Sequence, residues 1–230
     1  MFIGHQGVAF AAKKAAPGVS LGALFLASMW LDLAWPVFLL LGIETVEIKP
    51  GITKIMPLDF VSYPYSHSLL FAALWGTAFG LVYWMLRRDS RGAVVLGTLV
   101  VSHWVLDFVV HRPDMPLYPG SIRLGLDLWD SVPATLIVEF VIFGGGVAIY
   151  LLTTKPGDRI GRYAISGLVL VLLAMYIGSL VGPPPPGWQP IAYSNFGSLL
   201  FPLWAWWADK HRTPRDRLAP PRAAAELRSP

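Results

Sequence analysis

Within the segment Ser102-His103-Trp104-Val105-Leu106-Asp107-Phe108-Val109-Val110-His111, an imidazole, a carboxylate and a second imidazole stand four residues apart, inside an apolar run of membrane-crossing length. Steps of four residues drift only about 40° around a helix, so His103, Asp107 and His111 share one face. Ionisable side chains at membrane depth are costly and mark cavities, ion sites or chemistry. Imidazoles beside carboxylates suit zinc or, with more carboxylate character, manganese or iron.

Other ionisable residues reach the same level. Counted from the helix ends on the side of Lys13 and Lys14 at the usual helical rise, His103 lies about 16 Å deep, Asp107 about 22 Å, Asp32 about 18 Å and Glu139 about 20 Å. His5 joins them if residues 2–12 form a half-helix entering from the same side as Lys13 and Lys14. The alternative for this segment is an interfacial helix, but it is apolar nearly all round, which suits burial better. His103 and Asp107 then offer two ligands from one helix, with Asp32 and His5 completing the shell. A divalent ion would also balance charge that is otherwise expensive to bury. Glu139 taken alone serves equally well as interhelical hydrogen-bonding glue. His67, between Ser66 and Ser68, stands where Ser66 could cap a helix.

The elements that must position these groups are helices. The chain of 230 residues is 55% hydrophobic and 14% charged, with a mean hydropathy of +0.56. Soluble domains carry nearer a quarter charged residues. Six apolar stretches of spanning length recur, at 21–43, 67–86, 92–110, 131–152, 160–181 and 191–208; the last is the weakest because Ser194 and Asn195 lie inside it. The expected fold is all-α: a polytopic helical membrane protein of about six transmembrane helices plus a short N-terminal re-entrant or interfacial helix. Residues 1–208 read as one membrane domain and 209–230 as a basic, disordered tail. Gly76 and Gly80 form a small-xxx-small pair for close helix packing, and the Gly144–Gly146 run offers another contact or a loosened helix.

Of the 18 basic residues, 14 fall before the first stretch, after even-numbered stretches or in the tail. By the positive-inside rule both termini are cytoplasmic, and the loops 44–66, 112–130 and 182–187 are external. Membrane lipids are the expected partners. The Pro- and Ala-rich basic tail suits anionic lipid, with no nucleic-acid binding expected. With no cysteine in the chain, disulfides and thiolate metal sites are excluded.

His5, Asp32, Tyr65-Ser66-His67-Ser68 and Ser102-His103-x-x-x-Asp107, in this order and spacing, resemble the bacterial inner-membrane metal-dependent hydrolases, also called the LexA-binding, inner-membrane-associated hydrolases. The likeness covers residues 1–150. It implies a helical enzyme of the bacterial inner membrane using a divalent metal. Many members carry a second Asp where this chain has Ala34, and His-Arg-Gly where it has Ser62-Tyr63-Pro64. Both departures remove ligands, which points to one ion rather than two.

The resulting expectation is a membrane-embedded metal-dependent hydrolase of a lipid or lipid-linked ester, phosphoesters included. His5, Asp32, His103 and Asp107 hold one divalent ion, zinc before manganese or iron, with His67 a fifth ligand. The ion acidifies a water, Glu139 or His111 acts as base and then acid, and Arg112 holds a phosphate. Two rivals stay open. One is a proton- or metal-ion-conducting transporter using the same His/Asp stripe. The other is a small membrane scaffold whose polar residues only join helices. Nothing in the chain bears on oligomeric state.

Overall fold

The computed structural model describes residues 1–215. The helices run α1 (Ile3–Ala15), α2 (Leu21–Ser28), α3 (Trp30–Leu40), α4 (Pro64–His67), α5 (Leu69–Arg87), α6 (Ser90–Val110), α7 (Val132–Thr153), α8 (Arg159–Val181), α9 (Trp188–Gly197) and α10 (Leu200–Lys210). Three antiparallel two-stranded ribbons close the ends: β1 (Thr45–Ile48) with β2 (Leu58–Ser62), β3 (Met115–Pro116) with β4 (Arg123–Leu124), and β5 (Thr154–Pro156) with β6 (Arg212–Pro214).

Four helices, α5 to α8, are long and apolar enough to cross a membrane, and α2 with α3 makes a fifth crossing if the bent pair counts as one. Their outward faces stay apolar, as at Leu74, Leu81, Val94, Val141 and Leu170. The sixth stretch expected from hydropathy is divided. It forms α9 and α10, of 10 and 11 residues, neither of spanning length alone. The helix breaks at Ser198 and Leu199, where Pro202 has no N–H to donate to the Ser198 carbonyl four residues before it.

The two-sided grouping of loops appears in the contacts. At one end Lys13 Nζ donates to Asp209 Oδ2 (2.6 Å) and to the Val19 carbonyl (2.7 Å), and the Tyr150 hydroxyl donates to Asp209 Oδ1 (2.9 Å). Arg212 is buried there and donates to the Gly161 carbonyl (2.7 Å). Residues 209–215 are therefore folded against the bundle, a correction to the disordered tail expected from 209 onward. The remainder of that tail, 216–230, lies outside the described residues. At the opposite end Arg112 pairs with Asp59, and Arg123 donates to the Val61 carbonyl (2.6 Å).

The short N-terminal helix is inside the bundle. Ile3, His5, Ala9 and Phe10 of α1 are buried, with α7, α2 and α6 around them. Lys13 lies at the basic end, so α1 runs inward from there towards its own start. Met1 is buried beside Asp107 and not at a membrane surface, the position implied by a cytoplasmic N-terminus. A helix that starts in an apolar interior leaves amides to satisfy. Glu139 of α7 does this, accepting from Phe2 N–H and Gly4 N–H at 2.7 Å each.

Contact between α1 and α7 is backbone on backbone. A Cβ on Gly7 would strike the Ile142 carbonyl, and one on Gly146 would strike Gly7 itself, whereas Gly144 and Gly145 face open space. Only one glycine of the Gly144–Gly146 run is thus a packing residue. Gly76 and Gly80 similarly bring α5 against the backbone of Ala93 and Gly97 in α6. Gly146→Leu should lower stability by about 1–3 kcal/mol through overpacking, while Gly144→Leu should be near neutral. Thermal unfolding of the detergent-solubilised variants checks this, and equal shifts for both would contradict the packing of α1.

Candidate metal centre

The centre forms where α1, α3, α4 and α6 meet. His103 is fully buried on α6, and its Nδ1 donates to the Ser28 carbonyl (2.7 Å). That carbonyl is free for a side chain because the chain bends by 50° between α2 and α3, at Met29. The bond fixes the tautomer, leaving Nε2 without a hydrogen. His103 Nε2 has no hydrogen-bond partner among the described residues. It faces Asp107 Oδ2 at 3.1 Å and Asp32 Oδ1 at 3.6 Å.

His67 is fixed in the same way. Its Nδ1 lies 2.8 Å from Ser66 Oγ, whose hydroxyl donates to Glu44 Oε2 at 2.6 Å. The Ser66 oxygen therefore accepts from His67 Nδ1–H. Glu44 Oε1 in turn accepts from Tyr65 N–H and Ser66 N–H, 2.8 Å each, closing the first turn of α4. His67 Nε2 is left to face Asp32 Oδ1 at 3.6 Å and Asp107 Oδ2 at 3.8 Å. Ser66 is thus a support for His67, and the helix cap is Ser68, which accepts from Phe71 N–H.

Two imidazole lone pairs and two carboxylates therefore converge as acceptors. Such a group is repulsive unless protons or a cation lie between its members. The four donor–donor distances, 3.1 to 3.8 Å, bracket the edge of about 3.4 Å expected for a tetrahedron with ligand bonds near 2.1 Å. The donor set fits a divalent ion.

His5 stands next to this group. Its ring stacks on His103 with centroids 3.7 Å apart and planes 4° from parallel. Its Nε2 lies 3.1 Å from Asp107 Oδ1, the oxygen that also meets the Met1 amino group. Two triads could hold an ion: His5, His103 and Asp107, or Asp32, His67 and His103. They share His103, and one Nε2 lone pair serves one ion. The triads are alternatives and do not make two full sites. All five residues named as ligands from the sequence thus come together.

Of the three other site residues, Glu139 and Arg112 are placed differently from the expectation and His111 is not. Glu139 lines the adjoining cavity, but both of its oxygens accept amide hydrogens of α1, which takes it from the role of free base. Arg112 does not line that cavity. Its guanidinium is engaged by Asp59 and, through Nε at 3.2 Å, by Asp114 Oδ2, so it is not free for a substrate phosphate. His111 does line the cavity, and its Nδ1 donates to Asp114 Oδ1 (2.9 Å). The same carboxylate oxygen accepts from the Tyr63 hydroxyl (2.9 Å). Burial holds the His111 imidazole below its ordinary pKa, with Asp114 acting in the opposite direction, while burial and Asp114 together push the Tyr63 phenol up.

The cavity measures about 630 Å³ and touches Asp32, His67, Asp107, His111 and Glu139. Trp35, Phe60 and Trp129 provide apolar walls, and Lys54 and the Asp107-paired Met1 amino group are cations on its lining. On the far side of the centre, Phe10 packs against Phe25, Phe143 and Tyr150, filling the bundle towards the basic end.

Ser28, Glu44, Ser66 and Asp114 are the supporting residues that sequence reasoning did not assign. Asp114 carries a readable signal, standing three residues beyond His111. Glu44 and Ser28 have none, since a hairpin and a helix bend bring them to the site. No protein-family model, curated protein or solved structure matches this chain.

Proposed function

We propose that this protein is a membrane-embedded, metal-dependent hydrolase acting on a lipid or lipid-linked ester. The observation that carries the proposal is that the His67 and His103 imidazoles both face Asp32 and Asp107, beside a largely apolar cavity. His67, His103, Asp32 and Asp107 would hold the ion, and His5 would steady Asp107 from its other oxygen. Two imidazoles with two carboxylates suit zinc, with manganese or iron as substitutes. A divalent ion there acidifies a water and polarises an ester oxygen.

The chain's own contributions follow from the geometry. Asp114 fixes the His111 tautomer and turns Nε2 to be the ring nitrogen left for the cavity. A neutral imidazole is ready to take a proton from an attacking water and return it to the leaving group. Trp35, Phe60 and Trp129 exclude bulk water and suit an acyl chain arriving from the bilayer. The setting agrees with the inner-membrane hydrolases that the His/Asp motifs resemble.

The packed aromatic residues between the centre and the basic end support an enzyme over a conducting path. A transporter built on the same residues needs an aqueous continuation past Phe10 and Tyr150. The scaffold reading leaves the unpartnered His103 nitrogen without a purpose.

Protein purified without chelator should carry about one divalent ion per chain by mass spectrometry. His103→Ala and Asp107→Ala should each lose it, and His211→Ala, altering a residue paired with Asp158 at the surface, should keep it. Glu44→Ala, acting through Ser66 and His67, should weaken metal affinity about 10–100-fold. Wild-type protein without stoichiometric metal would sink the reading.

Metal-loaded protein should hydrolyse a chromogenic long-chain ester, and the rate should fall by about 10²–10⁴ in His111→Gln with metal content unchanged. A base must be neutral to work, and burial lowers its pKa. The rate should therefore hold as the pH passes below the ordinary histidine value of about 6.5, and fall only in more acidic solution as His111 takes up a proton. A rate independent of His111 would remove it from the chemistry.

A further inference from the structure

Two polar side chains on the cavity wall have no role in holding an ion. Gln6 of α1 is 5% exposed and Tyr176 of α8 is 3% exposed, and both line the cavity. Among the described residues, the Gln6 carboxamide oxygen and the Tyr176 hydroxyl have no hydrogen-bond partner. A buried polar group left unpaired costs roughly 1–3 kcal/mol. Two on one wall need a reason.

Their placement ties them together. Phe2 and Gln6 are four residues apart on α1 and share a face. Phe2 stacks on Tyr176, with centroids 5.8 Å apart and planes 15° from parallel. Gln6 lies one turn further along the same face, so the two polar atoms belong to one arm of the cavity, between α1 and α8. The rest of that arm mixes apolar Met175, Leu180 and Phe201 with the uncharged polar Ser179, Ser194 and Asn195. The lining cations stand elsewhere: Lys54 lies in the loop between β1 and β2, facing Asp130, and the Met1 amino group is held by Asp107.

An arm lined by carboxamides, hydroxyls and apolar side chains, with no charged side chain on it, does not suit a charged group. A phosphate or carboxylate would lose its hydration and find no cation in exchange. A hydroxyl or amide does suit it, because it can donate to the Gln6 oxygen and accept from the Tyr176 hydroxyl. Resting on the hydrolase reading for the adjoining centre, we propose that this arm is a second subsite that takes an uncharged hydroxyl or amide group of the amphiphilic substrate. The substrate class narrows to neutral-headed lipids, such as acyl esters of a polyol, with the ester at the His/Asp centre and the free hydroxyl between Gln6 and Tyr176.

The test is equilibrium binding of a non-hydrolysable long-chain glycerol monoether to the detergent-solubilised, metal-loaded protein. The same ether carrying a phosphate is the charged comparison. The neutral ether should bind more tightly. Tyr176→Phe, which keeps the ring on Phe2, and Gln6→Met, which keeps the volume, should each weaken it about three- to tenfold. Metal content and unfolding temperature of both variants should match the wild type. Tighter binding of the phosphate form, or unchanged affinity in both variants, overturns the subsite. If ester turnover fails while the neutral preference and its loss in the variants hold, the subsite stands and only the hydrolytic reading falls.

Discussion

The interaction on which the rest depends is the mutual repulsion of the acceptors that meet at His103. Two imidazole nitrogens, each 3.1 to 3.8 Å from the same two carboxylates, are not held there by their own attraction unless a proton or a cation lies between them. Each must be clamped from behind. Ser28 clamps His103, the Ser66–Glu44 pair clamps His67, and His5 holds the outer oxygen of Asp107. The clamps explain local features that look like defects in isolation. The break at Met29 releases a carbonyl that a continuous helix would consume. The β1–β2 hairpin follows directly on Glu44 and returns the chain to α4, where His67 stands.

The same constraint explains why a 13-residue helix is sunk into a bundle of longer ones. His5 can reach Asp107 only if α1 starts deep inside, and a helix starting there exposes amides to an apolar interior. Glu139 supplies the acceptors, and Gly7 against Gly146 lets α1 approach closely enough to reach them. A residue that reads as a candidate base from its depth is thereby committed to backbone. Position along the membrane normal cannot distinguish these roles, because both need a carboxylate at that level.

What was legible in the sequence follows from what is local. His103 and Asp107 share a face because helical spacing alone decides it, and counting rise per residue brings Asp32 and His5 to their level. Long-range partners are not encoded in spacing. Glu44 reaches His67 through a hairpin, Arg112 reaches Asp59 across two loops, and Ser28 is available only because a helix bends. The sixth apolar stretch misleads for a related reason. Hydropathy averages over a window and does not register one missing N–H, yet Pro202 splits the segment into α9 and α10. The basic tail misleads in the other direction, since Asp209 and Arg212 look like surface charges until Lys13, Tyr150 and Thr154 are found around them.

The two ends of the bundle are also built to different purposes. At the basic end Lys13, Asp209 and Tyr150 satisfy one another around buried aromatic rings, an arrangement that resists opening because separating the partners would strand buried charge. At the other end the groups facing the cavity are incompletely satisfied. Asp32 is 38% exposed, and Gln6 and Tyr176 each have an atom without a partner among the described residues. Unsatisfied groups are tolerated where something else is meant to satisfy them. Their concentration on one cavity, opposite a sealed end, gives the molecule a direction. The cavity runs from the loop of the β1–β2 hairpin to the His/Asp centre, and packed aromatic rings lie beyond it.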